Sequence, residues 1–221
     1  MDPKIRKERF QKITDEFIKK GFTYKKTKRV LTKTEDGYTY EVSFSQYKCG
    51  GVVIYASIGC DEFYKWFTSF SFHSARIGNS IVSTRVGNTF KKGPNYKIYS
   101  IASEETMQFI TDAIRSDAFF VFDKFKNMKK FCKLINKGKL PGVLHDSYER
   151  LPLFLIWKKH YKEAGSIIET YLKDTTPEIE DSYHKSLDMF RNNEVMDIQK
   201  INDLNLHYRG VQLAFASCLI S

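Results

Sequence analysis

The segment that decides the fold is residues 38–60, which read YTYEVSFSQYKCGGVVIYASIGC. In its first part, Tyr40, Val42 and Phe44 alternate with polar residues, a pattern typical of a strand with one buried and one exposed face. After the glycines of a turn, Val52–Gly59 is a nearly continuous run of β-branched and aromatic residues, which predicts a strand in the middle of a sheet. We therefore expect two adjacent strands to form the core.

Upstream of this segment the chain predicts a helix and a basic strand. Asp2-Pro3 is a favourable helix start, and Gly21 is a favourable end. From Phe22 to Thr34 the chain is β-prone but rich in lysine and arginine, which is typical of an edge strand protected from pairing with other molecules. Asp36-Gly37 predicts the hairpin turn that leads into the core strands.

Downstream, Ile81–Val86 and Tyr96–Ile101 are two more candidate strands, and from Ser103 onward the apolar period changes from two to about 3.6. The sequence thus predicts an α+β fold, in which an N-terminal helix lies on an antiparallel β-sheet of about four or five strands and a helical C-terminal region follows. We expect residues 1–102 to form the helix plus sheet and residues 103–221 to form a helical region packed on it. One single domain is the alternative.

Composition indicates a packed globular protein, since 42% of the 221 residues are hydrophobic and 15% are aromatic. The longest apolar run contains Pro152 and is too short to cross a membrane. Charged residues stand where a secretory signal would need apolar ones, and the four cysteines show no C-x-x-C spacing. We expect a cytoplasmic protein with reduced thiols, no cofactor and no membrane association.

The net charge of +10 is unevenly distributed along the chain. Residues 1–33 hold 12 Lys or Arg against 4 acids, and residues 120–139 hold 7 Lys against Asp123 alone. Residues 174–203 reverse the balance, with 8 acids against 3 Lys or Arg. A basic pole fits an acidic protein surface or a nucleic acid, and a solvated face explains it equally well.

Three elements carry a resemblance to a known family: Lys20-Gly21-Phe22 at the end of a helix, the strand Tyr40–Lys48, and an apolar strand that ends in Ile58-Gly59. The whole stretch Phe10–Gly59 resembles the bacterial domain-of-unknown-function family numbered 4304. Ser83–Gly87 is also similar to an Arg-hydrophobic-Gly element of that family.

The resemblance covers about half of the chain and rests on short motifs, from which this sequence departs by placing Tyr47 between Gln46 and Lys48. The resemblance implies a bacterial protein without an assigned activity. Some relatives are encoded near toxin genes, which implies a toxin-neutralising, immunity-like role.

The preferred hypothesis for function is non-catalytic binding of a protein that has an acidic surface. Buried aromatic side chains dominate the energetics of such interfaces, whereas charges at the rim mainly set the association rate. The candidate binding residues combine three aromatic side chains with four cations from the basic strand: Tyr24, Tyr47 and Trp66, and Lys25, Lys26, Lys28 and Arg29.

Two alternatives remain open, and neither adds a cofactor. The first is a nucleic-acid-binding module, in which lysines spaced along one helix face track phosphates; these are Lys126, Lys129, Lys130, Lys133 and Lys137. The second is a metal-dependent nuclease around Asp36, Gln46 and Lys48, although turn formation and solvation already explain these residues. The sequence predicts no catalytic residue and no metal ligand, and leaves the oligomeric state open.

Overall fold

A computed structural model describes residues 3–46, 51–70, 72, 79–87, 99–100, 104–144 and 147–220. The predictions that concern Asp2, Tyr47, Lys48 and Ser103 lie outside these residues, as does most of the expected strand Tyr96–Ile101.

The structure confirms the predicted α+β class, with an N-terminal helix, an antiparallel sheet and a helical C-terminal region. Helix α1 (Pro3–Ile18) comes first. Five strands follow one another across the sheet in the order β1-β2-β3-β4-β5, and β6 pairs with β4. Their bounds are β1 Thr23–Lys25, β2 Val30–Glu35, β3 Tyr38–Gln46, β4 Gly51–Gly59, β5 Ser80–Arg85 and β6 Tyr99–Ser100.

Helices make up most of the rest of the described chain. A π-helix (Ile114–Phe119) lies between α3 and α4; such segments often occur at functional sites. The α-helices are α2 Asp61–Phe67, α3 Glu104–Ala113, α4 Phe120–Phe125, α5 Met128–Asn136, α6 Ser147–Trp157, α7 Tyr161–Lys173, α8 Pro177–Arg191, α9 Ile198–Asp203 and α10 Tyr208–Ile220.

The chain forms two compact units. The first comprises Met1–Gly59, Val82–Phe131 and Lys139–Leu144, and the second comprises Cys60–Ile81, Cys132–Gly138 and His145–Ser221. This grouping places α3, the π-helix and α4 with the sheet, whereas the sequence predicted a division after residue 102.

The core of the first unit lies on the face of β3 that carries Tyr40, Val42 and Phe44, all of which are buried. Phe10 of α1 packs edge-on against Phe44, with ring centroids 5.6 Å apart. Phe122 of α4 packs on Tyr40 at 5.1 Å. The period-two pattern of β3 therefore selects the face that the helices cover.

The basic segment before β3 differs from its prediction, because it forms a hairpin of two strands rather than one edge strand. β1 and β2 are joined by a turn at residues 26–29. Arg29 closes this turn with a φ of 53°. The expected Asp36-Gly37 turn is confirmed: both residues have positive φ, of 53° and 79°, which suits a two-residue hairpin loop.

The second unit is built around α10, in which the five consecutive residues 210–214 are all buried. Gly210 allows α8 to approach closely. A Cβ atom at this position would lie 2.6 Å from the carbonyl oxygen of Ile179 and 2.7 Å from Ser182 Cβ. Gly165 of α7 gives the contrasting case, since a Cβ atom there would meet nothing within 4 Å.

We expect Gly210→Ala and Gly165→Ala to change stability in opposite directions. Gly210→Ala should lower the free energy of unfolding by at least about 2 kcal/mol, because overpacking forces the helices apart. Gly165→Ala should raise it by about 0.5–1 kcal/mol, because alanine has the higher helix propensity. Urea denaturation followed by circular dichroism measures both. Equal effects of the two substitutions would contradict the tight α8–α10 contact.

Candidate functional site

The candidate site is the basic hairpin, defined as β1, the turn at residues 26–29 and β2. The turn is held by backbone hydrogen bonds from Lys28 N to Lys25 O (3.2 Å) and from Arg29 N to Lys26 O (3.3 Å). The carbonyl oxygen of Arg29 accepts a hydrogen bond from Phe44 N at 3.0 Å. The cationic turn is therefore anchored to the buried core strand.

The four predicted cations of the hairpin are Lys25, Lys26, Lys28 and Arg29, and all are exposed to solvent. Within the part of the chain that the structure describes, none of them forms a salt bridge with an acidic side chain. Exposed cations that form no salt bridge create a positive potential around the turn. This potential favours approach of an acidic surface.

Tyr24 lies at the edge of the sheet next to these cations. It pairs with Leu31, which pairs with Val42, so its side chain shares their face of the sheet. Burial raises the pKa of the Tyr24 phenol, and the neighbouring Arg29 opposes this shift. Tyr24 is half-buried, so it presents a neutral, partly apolar contact beside the charges.

Glu41 lies on the face of the sheet that carries Lys25 and was not among the residues predicted from the sequence. It lies on the opposite face of β3 from Val42 and is half-buried. Burial raises the pKa of its carboxyl group, and the charges of Lys25 and Lys28 oppose this shift. Cross-strand pairing of Glu41 with Thr32 creates this proximity, which local sequence does not reveal.

The two described aromatic candidates, Tyr24 and Trp66, belong to different units. Tyr47 lies outside the described residues. Trp66 belongs to the second unit, where its ring packs against Phe63 at 5.8 Å and against Phe70 at 4.9 Å. Of the three candidates, Tyr24 is the one that the structure places with the four cations.

The expected stripe of lysines does not run along one continuous helix. Lys126 ends α4, and Asn127 Oδ1 accepts a hydrogen bond from Lys130 N at 3.1 Å, which starts a new helix. Lys126 Nζ also donates to Glu35 Oε2 at 3.1 Å. The remaining four lysines are each exposed: Lys129, Lys130, Lys133 and Lys137.

The candidate nuclease residues do not come together either. Asp36 lies in the turn before β3 and Gln46 ends that strand. A nine-residue strand separates them by more than about 25 Å, so they cannot bind one ion. Lys48 lies outside the described residues. Among the residues that are described, no group of three or more His, Cys, Asp or Glu side chains could hold a metal.

Within the residues that the structure describes, no helix is both long enough and apolar enough to cross a membrane.

No family model, curated protein or solved structure matches this chain. The resemblance to family 4304 therefore stays a prediction.

We expect Glu41→Gln to raise the free energy of unfolding at pH 7. The pKa of Glu41 is higher in the folded protein than its ordinary value of 4.5. The wild-type side chain therefore stabilises the fold most at pH values below 4.5. This stabilisation is lost as pH rises through the folded-state pKa. The advantage of the variant should therefore shrink below about pH 4.5. Thermal unfolding between pH 3.5 and 7 measures it.

The matched control is Glu169→Gln, because Glu169 is exposed on the surface of α7. If Glu41→Gln raised the free energy of unfolding equally at pH 3.5 and at pH 7, this would contradict the inferred cost of burying the Glu41 charge.

Proposed function

We propose that this chain is a non-catalytic binding protein that holds an acidic protein partner on the basic hairpin. The observation that carries this proposal is the group of four exposed cations, which form no salt bridge within the described part of the chain. Such charges remain available to an external partner and speed its association. The turn at residues 26–29, which carries three of these cations, is anchored to β3. The charges therefore have a defined position.

The hairpin also offers a second element of recognition. β1 is the first strand in the sheet order, and an edge strand can pair with an extended segment of a partner. Thr23 and Lys25 lie on one face of β1, and Tyr24 lies on the other. With three residues, β1 supports only a short pairing, so Tyr24 would supply much of the contact energy.

The proposed setting is the cytoplasm of a bacterium, and a protein toxin is the first partner class to test. The resemblance to family 4304 supports this choice of partner. The excess of basic residues in the first 33 positions supports an acidic partner surface.

We expect reversal of all four hairpin charges, in the variant K25E/K26E/K28E/R29E, to abolish capture of the partner from a host extract. Like charges placed across an interface oppose association. Affinity capture followed by mass spectrometry identifies the partner, and surface plasmon resonance with the purified partner then measures the association rate. For the wild type this rate should fall at least about tenfold as salt rises from 0.01 to 0.15 M.

The matched control is the reversal of four other exposed lysines, in K129E/K130E/K133E/K137E, which changes the net charge by the same amount. This variant should retain partner capture. The proposal is overturned if no partner is recovered. It is also overturned if the hairpin variant binds as well as wild type while circular dichroism shows an intact fold.

The same control variant tests nucleic-acid binding directly. We expect labelled single-stranded and duplex oligonucleotides to bind weakly and without sequence preference, because Lys126 is already engaged by Glu35. Each lost phosphate contact should reduce the slope of log affinity against log salt by about 0.7–0.9. Sub-micromolar binding at physiological salt that collapses in K129E/K130E/K133E/K137E would favour a nucleic-acid-binding module instead.

A further inference from the structure

A pocket of about 220 Å³ opens within the first unit, at the end of β2 opposite the basic turn. Its residues come from three separate parts of the chain: the segment before β1, strands β2 and β3, and the π-helix with α4. The lining consists of Lys20, Phe22, Lys33, Glu35, Tyr40, Phe119, Phe122, Asp123 and Lys126.

Aromatic rings form the apolar wall of this pocket. Phe22 and Phe119 are stacked, with ring centroids 5.4 Å apart and an interplanar angle of 19°. Phe122 lies beside Phe119 at 6.0 Å and also packs against Tyr40. Phe119 is the last residue of the π-helix and is half-buried. Part of the Phe119 residue therefore remains accessible to solvent.

Three ammonium groups line the same pocket and outnumber the carboxylates that neutralise them. Glu35 Oε2 lies between two of them, 3.4 Å from Lys33 Nζ and 3.1 Å from Lys126 Nζ. Lys20 Nζ lies 5.3 Å from the centre of the Phe119 ring and forms no ion pair within the described residues. The second lining acid, Asp123, instead contacts Lys124 at 2.6 Å.

The pKa shifts of Glu35 and Tyr40 describe the polar wall of the pocket. The hydrogen bonds from Lys126 and Lys33 hold the pKa of Glu35 below its ordinary value, so its carboxylate marks a position where a negatively charged oxygen is stable. Burial, together with the nearby Glu35 charge, raises the pKa of Tyr40 to about 12. Its neutral phenol can therefore act as a hydrogen-bond donor.

We propose that this pocket binds a small aromatic anion, in which one ring carries a single phosphate or carboxylate group. The ring would pack on Phe119, while Lys20 and Lys126 bind the anionic group beside the Glu35 carboxylate. A cavity of about 150 Å³ accommodates benzene, so the pocket has room for one substituted ring. This site lies apart from the turn of the basic hairpin and does not depend on the proposed protein partner.

The test is a titration of the full-length protein, followed by ¹H–¹⁵N NMR, with four probes: phenyl phosphate, benzoate, cyclohexyl phosphate and inorganic phosphate. We expect saturable binding of phenyl phosphate or benzoate, with shifts centred on Tyr40 and Phe119. Comparison of these two probes identifies the anionic group. Phenyl phosphate should bind more tightly than cyclohexyl phosphate, because aromatic pairs add to simple apolar contact.

Substitutions then distinguish specific binding in this pocket from non-specific attraction of anions to a basic protein. Lys20→Ala and Lys126→Ala should each weaken binding about three- to tenfold. The exposed neighbour Lys19→Ala should leave it unchanged. Glu35→Gln should tighten binding by a similar factor, because it removes the carboxylate that competes for Lys126 and repels an anion. Phe119→Leu should remove the preference for the phenyl ring.

Four results would overturn the proposal. These are the absence of saturable binding by either aromatic probe, equal affinity for inorganic phosphate, an equal loss in Lys19→Ala, and weaker binding in Glu35→Gln. The lysine substitutions are at exposed positions, so the test does not depend on the stability of the Phe119 variant.

Discussion

The antiparallel pairing of β3 with β4 fixes the arrangement of the first unit. Eight residue pairs run from Thr39↔Gly59 to Gln46↔Val52. Because side chains alternate along a strand, a slip of one residue would move Tyr40, Val42 and Phe44 to the opposite face. The aromatic residues of α1 and α4 pack on that face, so the pairing also sets where the helices lie.

The pairing of β2 with β1 and β3 separates two groups of lysines that look alike in the sequence. β2 pairs Lys33 with Tyr40, on the face that the helices cover, where Glu35 neutralises Lys33 and Lys126. Lys25 lies on the other face, beside the turn. Lysines that are neutralised by an internal carboxylate suit a small pocket in which a ligand competes with that carboxylate. Exposed cations without a salt bridge suit a surface that binds a macromolecule. The two proposals therefore follow from one difference in charge compensation.

In the second unit, helix packing and buried polar contacts act together. Glu149 is nearly buried, and its carboxylate lies 2.5 Å from Arg209 Nε. Arg150, the next residue of α6, donates to the carbonyl and hydroxyl oxygens of Ser80 at 2.8 and 2.7 Å. Charged groups removed from water require such partners. These contacts orient α6 relative to α10 and to Ser80 within this unit.

Sequence alone determined the features that depend on neighbouring residues. Alternation predicted β3, and the Asp36-Gly37 turn followed from the need for positive φ. The α+β class followed from the change of apolar period along the chain. Each of these signals is local, because side-chain periodicity and backbone preference act within a few residues.

Tertiary structure decided which distant residues meet. Lys20, Lys33 and Lys126 surround one carboxylate-bearing pocket, although more than a hundred positions separate the first from the last. The split of the lysine-rich segment at Asn127 depends on a cap that competes with continuation of the helix. The sequence supplied the charges and the aromatic rings, but cross-strand register and helix packing determined which charges are neutralised and which remain exposed.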